Sequence, residues 1–302
     1  LWVAVVLISI TLPAIAAPNW QIEPVVTDLD TPWAVAPLPE GGALITERRG
    51  RLIFSKGDVN VRIDGVPKVA TRGQGGLLDI TLARDFSQSR MVFLTYAKPQ
   101  SGGGSGTAVS TAIFPKGGRK LQNLQEIFVM KAGSSGGRHF GSRVVEARDG
   151  TLFVTIGDRG DRPAAQDLNR HNGTVIRVAR DGSIPRDNPF VQGGGLPEIW
   201  SYGHRNPQGA ALDLQGNLWI SEHGARGGDE VNAVKPGANY GWPVISYGRH
   251  YSGLKIGEGT AKAGMEQPAF YWDPSRAFGV AGVFRKDVCG LERRHLRRVV
   301  KV

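Results

Sequence analysis

Four glycine-rich segments gather side chains able to move a proton, hold an anion or bind a hard cation. They are Arg72–Leu77 (RGQGGL), Gly136–Arg143 (GGRHFGSR), Ser201–Gly209 (SYGHRNPQG) and Glu222–Asn232 (EHGARGGDEVN), the last followed by Asn239–Pro243 (NYGWP). His139 sits in a Gly-rich loop where backbone can approach a ligand and the imidazole can project into a cleft; imidazole is the side chain best matched to proton abstraction near neutral pH. Arg205 and Asn206 offer planar donors suited to a carboxylate or quinone oxygen, and Gln74 offers a donor and an acceptor. The acidic fourth segment can present carboxylate and backbone carbonyl oxygens to a cation such as Ca²⁺, although its spacing is not that of an EF-hand loop. Together these are the parts of a redox site for an anionic cofactor.

Each part also has a purely structural explanation. A single His in a Gly-rich loop is more often structural than catalytic. Arg205–Gln208 fits a turn whose Arg pairs with a nearby acid, and Asp229 with Glu230 fits a solvated loop face. The Arg159-Gly160-Asp161 triplet reads as a chance turn. Only the combination and order of the segments carry an argument.

The elements that must position these loops are short strands. Pro39–Thr46, Asp149–Gly157 and Gln215–Glu222 share one shape: a turn with Gly, an apolar strand, and a polar exit. Met91–Tyr96 makes a fourth strand without the opening Gly. Degenerate copies of one β-unit at this spacing predict propeller blades, which a β-sandwich would not explain. Leu77–Leu82 and Val175–Val178 are further short strands, and convincing amphipathic helices are scarce. Ser101–Gly106 reads as a flexible surface loop without the Lys-Ser/Thr ending of a phosphate loop.

Composition agrees. Glycine at 42 and proline at 18 of 302 residues supply many tight turns, and the length suffices for a sizeable core. Leu1–Ala17 is an apolar run ending in small residues, which predicts part of a secretory signal peptide and a periplasmic or secreted protein; it is short for a membrane span and carries Pro13. Cys289 is the single cysteine, so no intrachain disulfide forms. The net charge of +10 is concentrated in Asp273–Val302, which holds eight Lys/Arg against three Asp/Glu; the rest carries acids and bases interspersed, which argues against a nucleic-acid partner.

In their order, GQGGLLDI, GRHFGSR, GHRNPQG, EHGARGGDEVN and NYGWP resemble the glucose/sorbosone dehydrogenase family, particularly its bacterial soluble aldose sugar dehydrogenases, from about Thr31 to about Trp272. The resemblance implies an all-β, six-bladed β-propeller holding pyrroloquinoline quinone (PQQ) and Ca²⁺ at the mouth of its central channel. It implies His139 as the general base toward the C1 hydroxyl of an aldose, with hydride passing to PQQ and an external electron acceptor completing the cycle. Gln74, Arg205 and Asn206 then correspond to cofactor-binding positions. The carbonyls of Gly224 and Ala225 correspond to ligands of the Ca²⁺ beside PQQ, and Glu230 and Tyr240 to ligands of a second, structural Ca²⁺.

The apolar start, the resemblance and the change of character after Trp272 together divide the chain into a partial signal peptide (1–17), a propeller domain (18–272) and a basic tail (273–302). The turn-strand rhythm stops after Trp272, so the tail reads as the product of a truncation or frameshift, and the propeller as truncated in its last blade. Two rival readings remain at this level: a Ca²⁺-dependent lactonase-like propeller hydrolase, and a non-catalytic propeller that binds sugars or proteins.

Overall fold

The computed structural model describes residues 24–101 and 104–275. The predicted signal segment 1–17 and most of the 273–302 tail therefore lie outside the described residues. Among the described residues no helix is long and apolar enough to cross a membrane.

Among the described residues sixteen strands form four antiparallel sheets, each a simple meander of four neighbours. The first blade is β1 (Pro32–Pro37), β2 (Ala43–Glu47), β3 (Arg51–Lys56) and β4 (Val59–Ile63). The second is β5 (Leu77–Leu82), β6 (Met91–Pro99), β7 (Ser105–Ile113) and β8 (Gln122–Val129). The third is β9 (Gly141–Glu146), β10 (Leu152–Ile156), β11 (Thr174–Val178) and β12 (Ile199–Tyr202). The fourth is β13 (Pro207–Leu212), β14 (Leu218–Glu222), β15 (Asp229–Ala233) and β16 (Phe270–Trp272). Strand β1 lies against β5, β5 against β9, and β9 against β13, so the first strand of each blade lines the inside of the propeller. Among the described residues a four-residue helix, Phe86–Ser89, and a 3₁₀ turn, Arg162–Gln166, interrupt the β architecture.

The repeated units of the sequence are the second strands of the blades, β2, β6, β10 and β14. Their turns are built by side-chain chemistry: Asp149 Oδ1 accepts the Thr151 N–H at 2.9 Å, with Gly150 at φ +84°, and Asp213 accepts the Gln215 N–H at 2.9 Å, with Gly216 at φ +95°. Glycine takes that left-handed turn position without a Cβ clash.

The blades pack face to face, and the core is divided into layers between them. Leu44, Leu52, Ile80 and Leu94 fill the first layer, Phe93, Val109, Val154 and Ile176 the second, and Phe153, Val175, Leu218 and Ile220 the third. Each such side chain contributes about 1.5–3 kcal/mol by leaving water. The outer strand β8 is exposed along Gln122–Glu126 and polar there except for Leu124, which discourages edge-to-edge pairing.

A hydroxyl latch joins successive blades. Thr46 Oγ1 accepts the Ala34 N–H of its own blade at 3.0 Å and donates to the Leu78 carbonyl of the next at 2.5 Å. Thr95 repeats this with the Asp79 N–H (2.9 Å) and the Ser142 carbonyl (2.6 Å). Thr155 repeats it with the Arg143 N–H and the Pro207 carbonyl, both at 3.0 Å. Ser221 holds the same place in β14, and its Oγ has no partner among the described residues.

Two expectations are corrected. The described residues make four blades, not six: after β15 the segment 234–269 is rich in Gly and Pro and runs through turns before returning as β16, so it adds a long connection instead of a sheet. The supposed surface loop Ser101–Gly106 is partly structural, because Ser105 opens β7 and is buried.

Candidate active site

His139 stands in the loop that leads into β9. Its backbone is left-handed (φ +54°), a conformation uncommon for a side chain of this size, and its N–H donates to Gln74 Oε1 at 2.7 Å. The ring is held from the other side by Asp158, just beyond β10, whose Oδ1 lies 2.7 Å from His139 Nδ1. The Asp158 side chain is fully buried and also takes the Gly160 N–H at 2.6 Å and Trp242 Nε1 at 2.8 Å. Burial works to raise the Asp158 carboxyl, but the hydrogen bond and charge of His139, with the Gly160 and Trp242 donors, outweigh it and hold it below the usual carboxylate range. A carboxylate on Nδ1 fixes the tautomer in which Nε2 is the free, basic nitrogen.

Arg205 and Asn206 lie in the turn from β12 to β13, within reach of the same centre. The Asp158 N–H donates to the Arg205 carbonyl at 2.8 Å, so one residue ties His139 and Arg205 together. Glu222 fixes the Arg205 backbone by accepting its N–H at 2.7 Å, and Arg205 Nη1 donates to the His223 carbonyl at 2.9 Å. Arg205 Nε is buried without a partner. Burial draws this guanidinium below its ordinary range, against the pull of Asp158. Asn206 Oδ1 accepts from the Gly141 N–H (3.2 Å) and Gln208 Nε2 (3.0 Å), which leaves its amide nitrogen for a ligand. Gln74 and Asn206 both line an open cleft of about 450 Å³.

The acidic segment forms a second centre beside it. Glu230, on β15, lies in a hollow shared with Arg205, Glu222, Gly224 and Tyr240. One amide, Asn232 Nδ2, donates to both Glu222 Oε1 (3.0 Å) and Glu230 Oε2 (3.3 Å). Burial, reinforced by the Glu222 charge, pushes the Glu230 carboxyl up to about 8. The Tyr240 hydroxyl is engaged, donating to the Ala233 carbonyl and accepting the Lys235 N–H at 3.0 Å, so a ligand role for Tyr240 falls to its backbone carbonyl. The Ala225 methyl packs with Ala165, Trp242 and Ile256, and there too only the carbonyl is suited to a metal. No group of three or more His, Cys, Asp or Glu side chains among the described residues is arranged to hold a metal ion. Asp229 is fully buried and donates nothing to a solvated face: its Oδ1 accepts the Gly224 N–H at 2.9 Å and its Oδ2 the Ser275 hydroxyl at 2.6 Å.

Sequence reasoning missed Asp158, although it follows the repeated strand at the same end as His139. Trp242 lay inside a noted motif without a role. Arg159 is no chance turn: it is 1 % exposed and its guanidinium stacks on Phe140 at 3.4 Å. His223, which lines both the cleft and the hollow, was also passed over.

Comparisons with known proteins bear on the family and the fold. The family model described as glucose/sorbosone dehydrogenase matches residues 29–293, a span that continues past Trp272. The aldose sugar dehydrogenase YliI of Escherichia coli (strain K12) is 44% identical over 275 residues, covering 88% of this chain and 74% of that protein. The crystal structure of the soluble aldose sugar dehydrogenase from Escherichia coli in its apo-form superposes with a TM-score of 0.80 at 45% identity, over 82% of this chain and 73% of that one. The PQQ-bound aldose sugar dehydrogenase from Streptomyces coelicolor superposes with a TM-score of 0.70 at 30% identity, over 83% and 70% of the two chains. With a β-propeller fold and a family match over most of its length, the chain belongs to the glucose/sorbosone dehydrogenase family.

Proposed function

We propose that this protein oxidises aldose sugars at C1 to lactones, with His139 as the base and with PQQ and Ca²⁺ as its cofactors. The observation that carries the reading is the Asp158–His139 pair beside Gln74, Arg205 and Asn206, whose remaining donors suit an acceptor-rich anion. Glu230, with the carbonyls of Gly224, Ala225 and Tyr240, suits hard-cation binding. The PQQ-bound relative adds support from outside the chain.

His139 Nε2 receives the proton of the sugar's C1 hydroxyl, while Asp158 steadies the imidazolium that results and keeps the ring from turning. Arg205, Asn206 and Gln74 orient the cofactor by hydrogen bonds that need no rearrangement during the reaction. Bound there, PQQ with its Ca²⁺ supplies a polarised two-electron acceptor for the hydride that leaves C1 as the lactone carbonyl forms. An electron acceptor outside the chain completes the cycle.

A Ca²⁺-dependent lactone hydrolase requires several carboxylate or amide side chains converging on one metal; here Glu222 is engaged by His204, Arg205 and Asn232, and Asp229 by Gly224 and Ser275, which leaves Glu230. The test is reconstitution with PQQ and CaCl₂, followed by dye-linked oxidation of a panel of aldoses. His139→Ala is expected to lose several orders of magnitude in kcat. Full turnover in that variant, or lactone hydrolysis without PQQ, overturns the reading.

A further inference from the structure

Arg159 is a buried cation that the proposed chemistry does not use. Its relative exposure is 1 %, and no carboxylate forms a salt bridge with it among the described residues. Burying a guanidinium is costly unless its donors are occupied. They are: Nε donates to the Arg138 carbonyl at 3.2 Å, Nη2 to the Gly136 carbonyl at 3.1 Å, and Nη1 to the Ser105 carbonyl at the start of β7 at 3.2 Å. The guanidinium carbon also sits over the Phe140 ring, 3.4 Å from its centroid.

These contacts bracket one residue. Arg138 precedes His139 and is held by its carbonyl; Phe140 follows it and is held by its ring. Gly136, two residues further back, is held as well, and its closeness to the Arg159 carbonyl leaves no room for a side chain, since an added Cβ would come within 2.5 Å. Meanwhile Asp158, the neighbour of Arg159 in the chain, holds the His139 ring. Two consecutive residues thus grip His139 by different parts, one by the imidazole and one by the flanking backbone. Left-handed backbone at both Arg159 (φ +58°) and His139 (φ +54°) makes such a grip necessary, because neither conformation is the relaxed choice of its residue.

We infer that Arg159 is a positioning residue for the oxidation, clamping the 136–140 loop so that His139 Nε2 faces the substrate hydroxyl. This rests on the reading of His139 as the base. A fixed, planar fork that reaches three carbonyls is a role lysine cannot fill.

Two variants test it. Arg159→Gly removes the side chain while suiting the left-handed backbone, and Arg159→Lys keeps the charge without the fork. In reconstituted enzyme both are expected to lower kcat by about 100-fold, the scale of a misplaced catalytic group, with KM for the aldose within about twofold of wild type. Added methylguanidinium should restore part of the kcat of Arg159→Gly and none of that of Arg159→Lys. In the apo-protein labelled with ¹⁵N-histidine, the His139 Nδ1–H signal should broaden in both variants and stay sharp in wild type. If both variants keep kcat within about threefold of wild type while His139→Ala is inactive, the positioning role is wrong and the base stands. If His139→Ala itself turns over normally, the base reading fails and the role of Arg159 goes with it.

Discussion

The Trp242 indole donates its Nε1 hydrogen to Asp158 Oδ2 at 2.8 Å, across 84 residues of sequence, so the loop after β15 helps set the charge state of the His139 partner. Trp242→Phe deletes that donor and keeps most of the ring. Removing one hydrogen bond from a buried carboxylate should reduce kcat about tenfold. It should also change acid stability. The Asp158 pKa is depressed in the folded protein, so its contribution is present above the ordinary carboxylate range and lost as pH falls through the folded value. The variant raises that folded value, and its acid-unfolding midpoint should move to higher pH, as followed by tryptophan-independent far-UV circular dichroism. An unchanged midpoint would count against this coupling.

Asp158→Asn preserves shape but offers an amide to His139 Nδ1 and releases the tautomer. By analogy with other carboxylate–imidazole pairs, kcat should fall by about 10²- to 10⁴-fold, with little change in sugar KM. Steady-state kinetics on the reconstituted variant decides the matter: near-wild-type turnover would remove Asp158 from the proton path.

Ca²⁺ should stabilise the protein before any cofactor is added. Ligand at about 100 times its Kd adds about 2.7 kcal/mol to the folded state, visible as a rise of several degrees in Tm that a chelator reverses. In Glu230→Gln the rise should shrink or vanish. The metal-free variant should be more stable than metal-free wild type above neutral pH, since the carboxylate facing Glu222 is gone. Equal Ca²⁺ responses in the two proteins would place the cation elsewhere.

The latch hydroxyls make a prediction about stability with its own control. Thr155→Val leaves the Arg143 N–H and the Pro207 carbonyl without their shared partner and should cost about 1–3 kcal/mol in urea unfolding. Thr95→Val should behave alike. Ser221→Ala, whose hydroxyl has no partner among the described residues, should cost far less. Equal losses at all three positions would contradict the latch.

What the sequence made legible was local. The strand copies around Ile45, Val154 and Ile220 were visible because turn, apolar run and exit lie within ten residues. His139, Gln74, Arg205 and Asn206 stood out because each lies close to glycines or a proline; in the structure Asp158 contacts His139 and Arg205, Gln74 contacts His139, and Asn206 contacts Gly141. The partners that give these residues their states were not legible, because they lie far away in sequence, Asp158 and Arg159 beyond β10 of the same blade and Trp242 after β15 of the fourth. Trp242 meets Asp158 through the long connection after β15, and Arg159 reaches back twenty-odd residues to carbonyls that no side-chain pattern announces. The number six was implied only by the family resemblance; the four strand copies of the sequence are each the second strand of one of the four described blades.

The threonine latches have a consequence for the chemistry. Leu78, Ser142 and Pro207, the three carbonyls they seize, follow Gln74, His139 and Asn206 by only a few positions. The amide, the imidazole and the second amide therefore each lie within a few residues of a latched carbonyl on three successive blades. Each is indexed to its neighbour by a single buried hydroxyl, so tilting any blade would carry its functional group out of line with the other two.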